Sequence, residues 1–216
     1  MPFLASTGAT YGYGRPQRVT VVFNYANFAS TTGLSLVSTY GVVSNLLYLT
    51  NAVNNDVGNV FYSTALRYNR NFSFEWNFEC SAGTSPPADG FTLQWTTVNN
   101  VNGGGGGGCG YISSALQAFV FQTYTNNQLI WYKSNVATQT LTGQNFYRNL
   151  YYWADYNHAA STMRIYFSTT STKPASANLT CTGFVFDSTN YYIGFGAATG
   201  GANENHILRS MKLTFT

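Results

Sequence analysis

The chain has 216 residues, a length that one all-β sandwich commonly reaches, and 44% of them are hydrophobic, so a single domain with a substantial core is expected. Charged residues make up only 8%, against about 25% in ordinary soluble domains, while aromatics reach 17%; this composition excludes disorder and leaves a surface solvated by neutral polar groups. The net charge is +3 with Lys and Arg scattered, and no apolar stretch approaches the ~20 residues of a membrane helix, so neither nucleic-acid binding nor membrane insertion is expected.

Residues 1–18 stand apart. The run Thr7-Gly8-Ala9-Thr10-Tyr11-Gly12-Tyr13-Gly14-Arg15-Pro16 is rich in Gly and Tyr and has no strand alternation, so it reads as an N-terminal arm. Met1-Pro2-Phe3-Leu4-Ala5-Ser6 lacks the basic and apolar regions of a secretory signal, and none is expected. From residue 19 onward, short β-type runs alternate with turn residues. They fall at 19–23, 72–78, 91–95, 118–124, 163–167, 191–195 and 212–215. The 72–78 and 91–95 runs alternate large apolar with polar side chains, the period of a half-buried strand. No helical stretch of ten residues is predicted, and many short strands with such punctuation argue for a sandwich or barrel. Residues 103–108 are six consecutive glycines, which cannot form a stable strand. They read either as a flexible connection or as a loop whose backbone closely approaches a ligand.

Three cysteines occur, Cys80, Cys109 and Cys181. An odd count leaves at least one without an intrachain partner, and no paired CxxC spacing suggests zinc. They read as reduced, partly buried thiols.

The order of motifs beyond the arm resembles the L-type (legume) lectins. Phe23-Asn24-Tyr25-Ala26-Asn27-Phe28 resembles that family's opening strand. Leu47-Tyr48-Leu49-Thr50, followed by Gly58-Asn59-Val60-Phe61-Tyr62-Ser63, resembles its next passage. Pro87-Ala88-Asp89-Gly90-Phe91 resembles its Ala-Asp-Gly signature, and Gly107-Gly108-Cys109-Gly110-Tyr111 its glycine loop. Tyr152-Trp153-Ala154-Asp155-Tyr156 and Ile193-Gly194-Phe195-Gly196-Ala197-Ala198-Thr199-Gly200, then His206-Ile207-Leu208, complete the series. The resemblance implies an all-β, concanavalin A-like antiparallel β-sandwich of jelly-roll type spanning residues 19–216.

In such lectins the sugar is held by an Asp after a cis peptide, a backbone N–H of the glycine loop, an Asn and a stacking aromatic. The resemblance puts Asp89 in the first role, where an ionised carboxylate accepts sugar hydroxyls in charge-assisted bonds. Gly107 matches the donor glycine, Asn126 matches the Asn, and Gly201, Ala202 and Asn203 form the fourth loop. The plainer reading of Asp89 is a residue capping its own turn.

The family's metal ligands do not carry over. Its transition-metal Glu is matched by Val120, the Asp shared by both metals by Gln122, and its metal His by Leu129. Calcium wants several carboxylate and carbonyl oxygens, and Gln122 supplies no charge. No manganese site and no cofactor are expected, with calcium limited to a degenerate site. The stretch from Asn126 to Leu129 is also shorter than in the family, which removes the loop that carries its last Asp ligand and often the stacking aromatic. The Asp89 loop is then expected to be held by packing and hydrogen bonds, with the Gln122 amide a candidate.

Catalysis has little support. Only Glu75 and Glu79 have the same-face spacing of a glycosidase carboxylate pair, and they read as a solvated face. His158 and His206 lie in no nucleophile motif, and the glycine run lacks the Lys and following helix of a phosphate loop. The leading expectation is a non-enzymatic carbohydrate-binding module whose partner is a glycan or glycoprotein. The alternative is a structural protein, such as a virion or capsid surface component, that docks through residues 1–18 on a neighbouring coat protein or forms a homo-oligomer. Either reading implies an extracellular or virion-surface setting.

Overall fold

The computed structural model describes residues 19–216; the Gly/Tyr-rich arm at 1–18 lies outside the described residues. Sixteen strands occur among them: β1 (Thr20–Tyr25), β2 (Leu34–Val37), β3 (Gly41–Val43), β4 (Leu46–Thr50), β5 (Val57–Tyr62), β6 (Leu66–Arg67), β7 (Phe72–Ser81), β8 (Gly90–Thr96), β9 (Gln117–Gln122), β10 (Gln128–Lys133), β11 (Val136–Leu141), β12 (Asn149–Asn157), β13 (Thr162–Ser168), β14 (Leu179–Thr182), β15 (Asn190–Ala198) and β16 (Asn205–Phe215). One 3-10 turn, Gly106–Gly108, is the only helical element among the described residues. One sheet runs β14-β13-β12-β7-β16-β4-β3, with β1 also on β16; the other runs β11-β10-β9-β8-β15-β5-β2, with β6 on β15. Every pairing is antiparallel, and most neighbours are far apart in sequence, as in the jelly-roll sandwich that the sequence predicts.

β7 shows why these sequences become strands. Phe72, Phe74, Trp76, Phe78 and Cys80 point into the sandwich and are buried, while Ser73, Glu75 and Glu79 take the other face. The inward side chains meet the opposite sheet ring to ring. Phe78 stacks on Phe91 with centroids 3.9 Å apart, Phe91 stacks on Phe121 at 4.5 Å, and Phe74 stacks on Phe195 at 5.8 Å. Each such pair adds roughly 0.5–1.5 kcal/mol beyond its area burial. Cys80, Cys109 and Cys181 are all free and fully buried.

β8 departs from the half-buried strand that its alternation predicts: every residue from Gly90 to Thr96 is buried. Phe91, Leu93 and Trp95 fill the core. Thr92 and Gln94, on the other face, lie beneath the glycine loop rather than in water. Thr92 Oγ1 donates to the Cys109 carbonyl (2.9 Å) and Gln94 Nε2 to that of Gly110 (3.1 Å), while Gln94 Oε1 accepts from the Ile112 N–H (2.8 Å). Asn59 on β5 completes the seat, donating to the Gly110 carbonyl (2.9 Å) and accepting from the Gly103 N–H (3.0 Å). These buried amides and hydroxyls are therefore satisfied by loop backbone. The glycine loop is folded onto the sheet, so closely that a β-carbon at Gly103 would fall 1.9 Å from the Gly110 carbonyl oxygen.

Candidate functional site

Asp89 opens β8 between two other strands of its sheet. Its N–H donates to the Ala198 carbonyl (3.0 Å), and its own carbonyl accepts from the Thr123 N–H (3.0 Å). The Ala88–Asp89 peptide is cis, the form that the resemblance implies at this position. The Asp89 side chain is half-buried, and its Oδ2 is fully enclosed with no hydrogen-bond partner among the described residues. Burial, first, raises its carboxyl above the usual range; of its two ionisable neighbours, His206 acts to lower it and Glu204 to raise it.

Two glycine segments converge on that carboxylate. A β-carbon at Gly200 would lie 2.8 Å from Asp89 Oδ2 and 3.4 Å from Gly106 Cα; one at Gly106 would lie 3.8 Å from the same oxygen. The Gly106 N–H donates to the Thr199 carbonyl (3.2 Å), which ties the loops together. Thr199 is in turn clamped by the turn before β5: its Oγ1 donates to the Val53 carbonyl (2.6 Å) and accepts from the Asp56 N–H (2.8 Å).

The predicted residues are arranged unequally around this centre. Gly107 is exposed in the 3-10 turn next to Gly106, and its N–H has no acceptor among the described residues. Gly201 is exposed beside Gly200. Ala202 closes the loop by accepting from the Gly200 N–H (3.0 Å). Asn203 turns away: its Nδ2 donates to Asn54 Oδ1 (2.5 Å) and its carbonyl accepts from the Thr84 N–H (3.0 Å). Asn126 is exposed in the Tyr124–Asn127 turn and makes no hydrogen bond to Asp89 among the described residues. Its neighbour Asn127, not Asn126, lines a hollow of about 380 Å³ with Pro86, Pro87, Thr123, Gln144 and Tyr147.

The positions matching the family's metal ligands do not fit its ions. Val120 and Gln122 face a hollow of about 140 Å³ with Tyr111, Tyr132 and Asn135, and no carboxylate lines it. Tyr111 and Tyr132 stack there with centroids 5.1 Å apart. Leu129 pairs with Phe121 and points into the core, on the opposite face of the sheet from Val120 and Gln122, so the three positions share no cleft. The Gln122 amide does not hold the Asp89 loop either: its Oε1 accepts from Gln128 Nε2 across the hairpin (2.6 Å).

The group that does underlie the loop went unnoticed in the sequence. Glu204 and His206 are both wholly buried, with His206 Nε2 2.9 Å from Glu204 Oε1 and His206 Nδ1 2.6 Å from Thr50 Oγ1. Thr123 Oγ1 donates to the same Glu204 oxygen, and the Thr123 N–H holds the Asp89 carbonyl. Glu204 is thus two bonds from the backbone of the candidate sugar ligand. The signal available was the spacing Glu204-x-His206, an acid and an imidazole two residues apart where β16 begins. Cys80 sits opposite His206 in the β7–β16 register; burial first, then the charge of Glu204, pushes its thiol well up.

Elsewhere three carboxylates are tied to cations. Glu75 faces Lys212 (3.3 Å), Glu79 pairs with Arg209 and Asp155 with Lys173, all partly exposed. Glu75 also lines a groove of about 330 Å³ on the outer face of its sheet with Tyr151, Trp153 and Lys212. Glu75 and Glu79 are each committed to a separate ion pair.

No protein-family model matches this sequence, nor does any curated protein. Solved structures do match. The basic winged bean lectin with Tn-antigen is 19% identical, with a TM-score of 0.75 over 92% of this chain and 99% of that one. Arcelin-5, a lectin-like defense protein from Phaseolus vulgaris, is 18% identical at a TM-score of 0.74, covering 92% of this chain and 98% of its own. The VIP36 exoplasmic/lumenal domain in its Ca²⁺/Man3GlcNAc-bound form is 18% identical at 0.73, covering 88% and 86%. The chain therefore has the L-type lectin-like fold.

Proposed function

We propose that the protein is a non-enzymatic, lectin-like carbohydrate-binding module that works without the calcium and manganese of the family it resembles. The observation that carries this reading is the Asp89 carboxylate. Its Oδ2 is enclosed and unpartnered where two glycine loops meet, at Gly106 and Gly200, and the exposed Gly107 follows Gly106 in the chain. A buried acceptor left unpaired costs about 1–3 kcal/mol, and a sugar hydroxyl is the kind of donor that would satisfy it. The fold neighbours add weight: the winged bean lectin carries Tn-antigen and the VIP36 domain carries Man3GlcNAc. In this reading Asp89 accepts sugar hydroxyls, Gly107 donates from its backbone, Gly201 and Ala202 line the site, and Asn126 and Asn203 flank it. The buried Thr123–Glu204–His206 network takes over the positioning that metal ions perform in the family.

The test is a glycan array followed by calorimetric titration of the best ligand, with the wild type, Asp89→Ala and Asp89→Asn, in a calcium chelator throughout. Binding that persists in chelator and weakens at least about tenfold in both variants supports the reading, since charge-assisted bonds are worth about 1.5–3 kcal/mol. An array with no ligand, or variants that bind as tightly as the wild type, would sink it.

A further inference from the structure

We infer that Cys80, Glu204 and His206 form a buried site for a zinc-class divalent cation, separate from the hollow that Val120 and Gln122 line. Strand register brings two of the donors together, and the segment leading into β16 supplies the third. Cys80 on β7 lies directly opposite His206 on β16, and Glu204, just before β16 begins, sets its Oε1 2.9 Å from His206 Nε2. One ligand atom from each, a thiol sulfur, a carboxylate oxygen and a ring nitrogen, lies within 4.8 Å of the others. All three side chains are fully buried, at 1%, 0% and 0% exposure.

A second observation points to a missing positive charge. Glu204 Oε2 is enclosed with no hydrogen-bond partner, although its twin Oε1 has two. A bare carboxylate oxygen away from water is an expensive arrangement unless something cationic faces it. His206 is also oriented as metal-bound histidines are. One ring nitrogen faces the carboxylate, while the other is fixed by the Thr50 hydroxyl at 2.6 Å, the kind of outer partner that sets a ligating tautomer.

The donor set selects the ion. Calcium and magnesium take oxygen ligands, whereas sulfur, imidazole and carboxylate together suit zinc. A thiolate and a carboxylate neutralise a divalent ion, which a low-dielectric interior requires. Three protein ligands leave a fourth tetrahedral position for a water molecule. Bound there, the ion would tie β7 to β16 beneath the Asp89 loop and act as a structural staple. Since no open channel to the cluster is needed if the ion is taken up as the chain folds, loading belongs to folding.

The test uses the full chain and no glycan, so its outcome is separate from that of the sugar-binding reading. The protein is refolded from denaturant with ZnCl₂ or with CoCl₂ and then dialysed. About one zinc ion per chain is expected, held in a shell with one sulfur at about 2.3 Å and nitrogen or oxygen at about 2.0–2.2 Å by X-ray absorption. The cobalt form is expected to show a sulfur-to-cobalt charge-transfer band that Cys80→Ser abolishes and that Cys109→Ser and Cys181→Ser keep. Should Cys80→Ser fail to fold, the wild-type absorption shell decides alone. Substoichiometric metal, a shell with no sulfur or more than one, or a band that survives in Cys80→Ser overturns the inference.

Discussion

Gly200 stands against Asp89 so closely that a single added methyl would lie 2.8 Å from the Asp89 Oδ2, inside any van der Waals contact. The nearest backbone atom, Gly106 Cα, is farther off at 3.4 Å, so the carboxylate takes the force of the clash. Gly200→Ala is therefore expected to turn the Asp89 side chain out of place while leaving the fold nearly intact. A glycan affinity lowered at least about tenfold, with stability changed by less than about 1 kcal/mol, is the expected pattern. Titration and denaturant unfolding on the same preparation measure both. An unaffected affinity would mean that Asp89 does not contact the ligand.

Protonation gives a second handle on the same side chain, with opposite signs for binding and stability. Burial holds the Asp89 carboxyl above its ordinary range, so the folded chain takes up the proton before the unfolded chain does. The charged form therefore weighs against folding above the raised value, and that penalty is relieved as pH falls through it. Sugar binding runs the other way, because only the ionised group accepts two hydroxyls. Lowering the pH from neutrality through that raised value is expected to weaken glycan binding in the wild type. Asp89→Asn should flatten the binding profile and remove the stability gain that Asp89 contributes. A wild-type affinity that is constant over this range counts against the role given to Asp89.

The fold was far more legible than the site, for physical reasons. Strands such as β7 carry large aromatics every second residue, and burying them against the opposite sheet leaves one solution. β2, β3, β6 and β11 are short or exposed, with no buried face to imprint a period, and the runs gave no sign of them. Thr92 and Gln94 misled because polar residues on alternate positions look solvated; the glycine loop that covers them lies sixteen or more residues away. At the site, the order of motifs located Asp89 and its glycine neighbours. It could not show that Leu129 faces the core instead of the hollow beside Gln122, since that depends on register. Nor did it reveal Thr50, Cys80, Thr123, Glu204 and His206 as one cluster, because they come from separate strands and loops that meet only in the folded sandwich.

The cluster should matter to stability whether or not an ion occupies it. Thr123→Val keeps the shape and the backbone N–H that holds Asp89, and removes only the hydroxyl that donates to Glu204. Glu204 Oε1 is then left with His206 alone, and Oε2 already lacks a partner. A loss of about 1–3 kcal/mol is expected, read as a lower urea midpoint at unchanged slope. Glycan affinity should fall less than in Asp89→Ala, because the Asp89 carboxylate and its loop are untouched. A midpoint equal to the wild type's would show that the Thr123 hydroxyl contributes nothing to holding the network.

Four glycines of the loop, Gly103, Gly105, Gly107 and Gly110, are expected to divide into two classes when substituted. At Gly103 an added β-carbon would meet the Gly110 carbonyl oxygen at 1.9 Å, and at Gly110, which has φ +70°, one would meet the Ala197 nitrogen at 2.2 Å. Both obstacles are backbone: the Gly110 carbonyl accepts from Asn59 and Gln94, and Ala197 lies in β15 between β5 and β8, so neither can step aside without disturbing buried pairing. At Gly105 and Gly107 nothing lies within 4 Å of the built atom. Gly103→Ala and Gly110→Ala should therefore destabilise by about 1–3 kcal/mol or more, and Gly105→Ala and Gly107→Ala by less than about 0.5 kcal/mol. Thermal unfolding of the four variants separates the cases. If all four behave alike, the loop is not seated on the sheet as described. If they split as expected, the loop is rigid before any sugar arrives, and Gly107→Ala, which keeps its N–H, should retain binding.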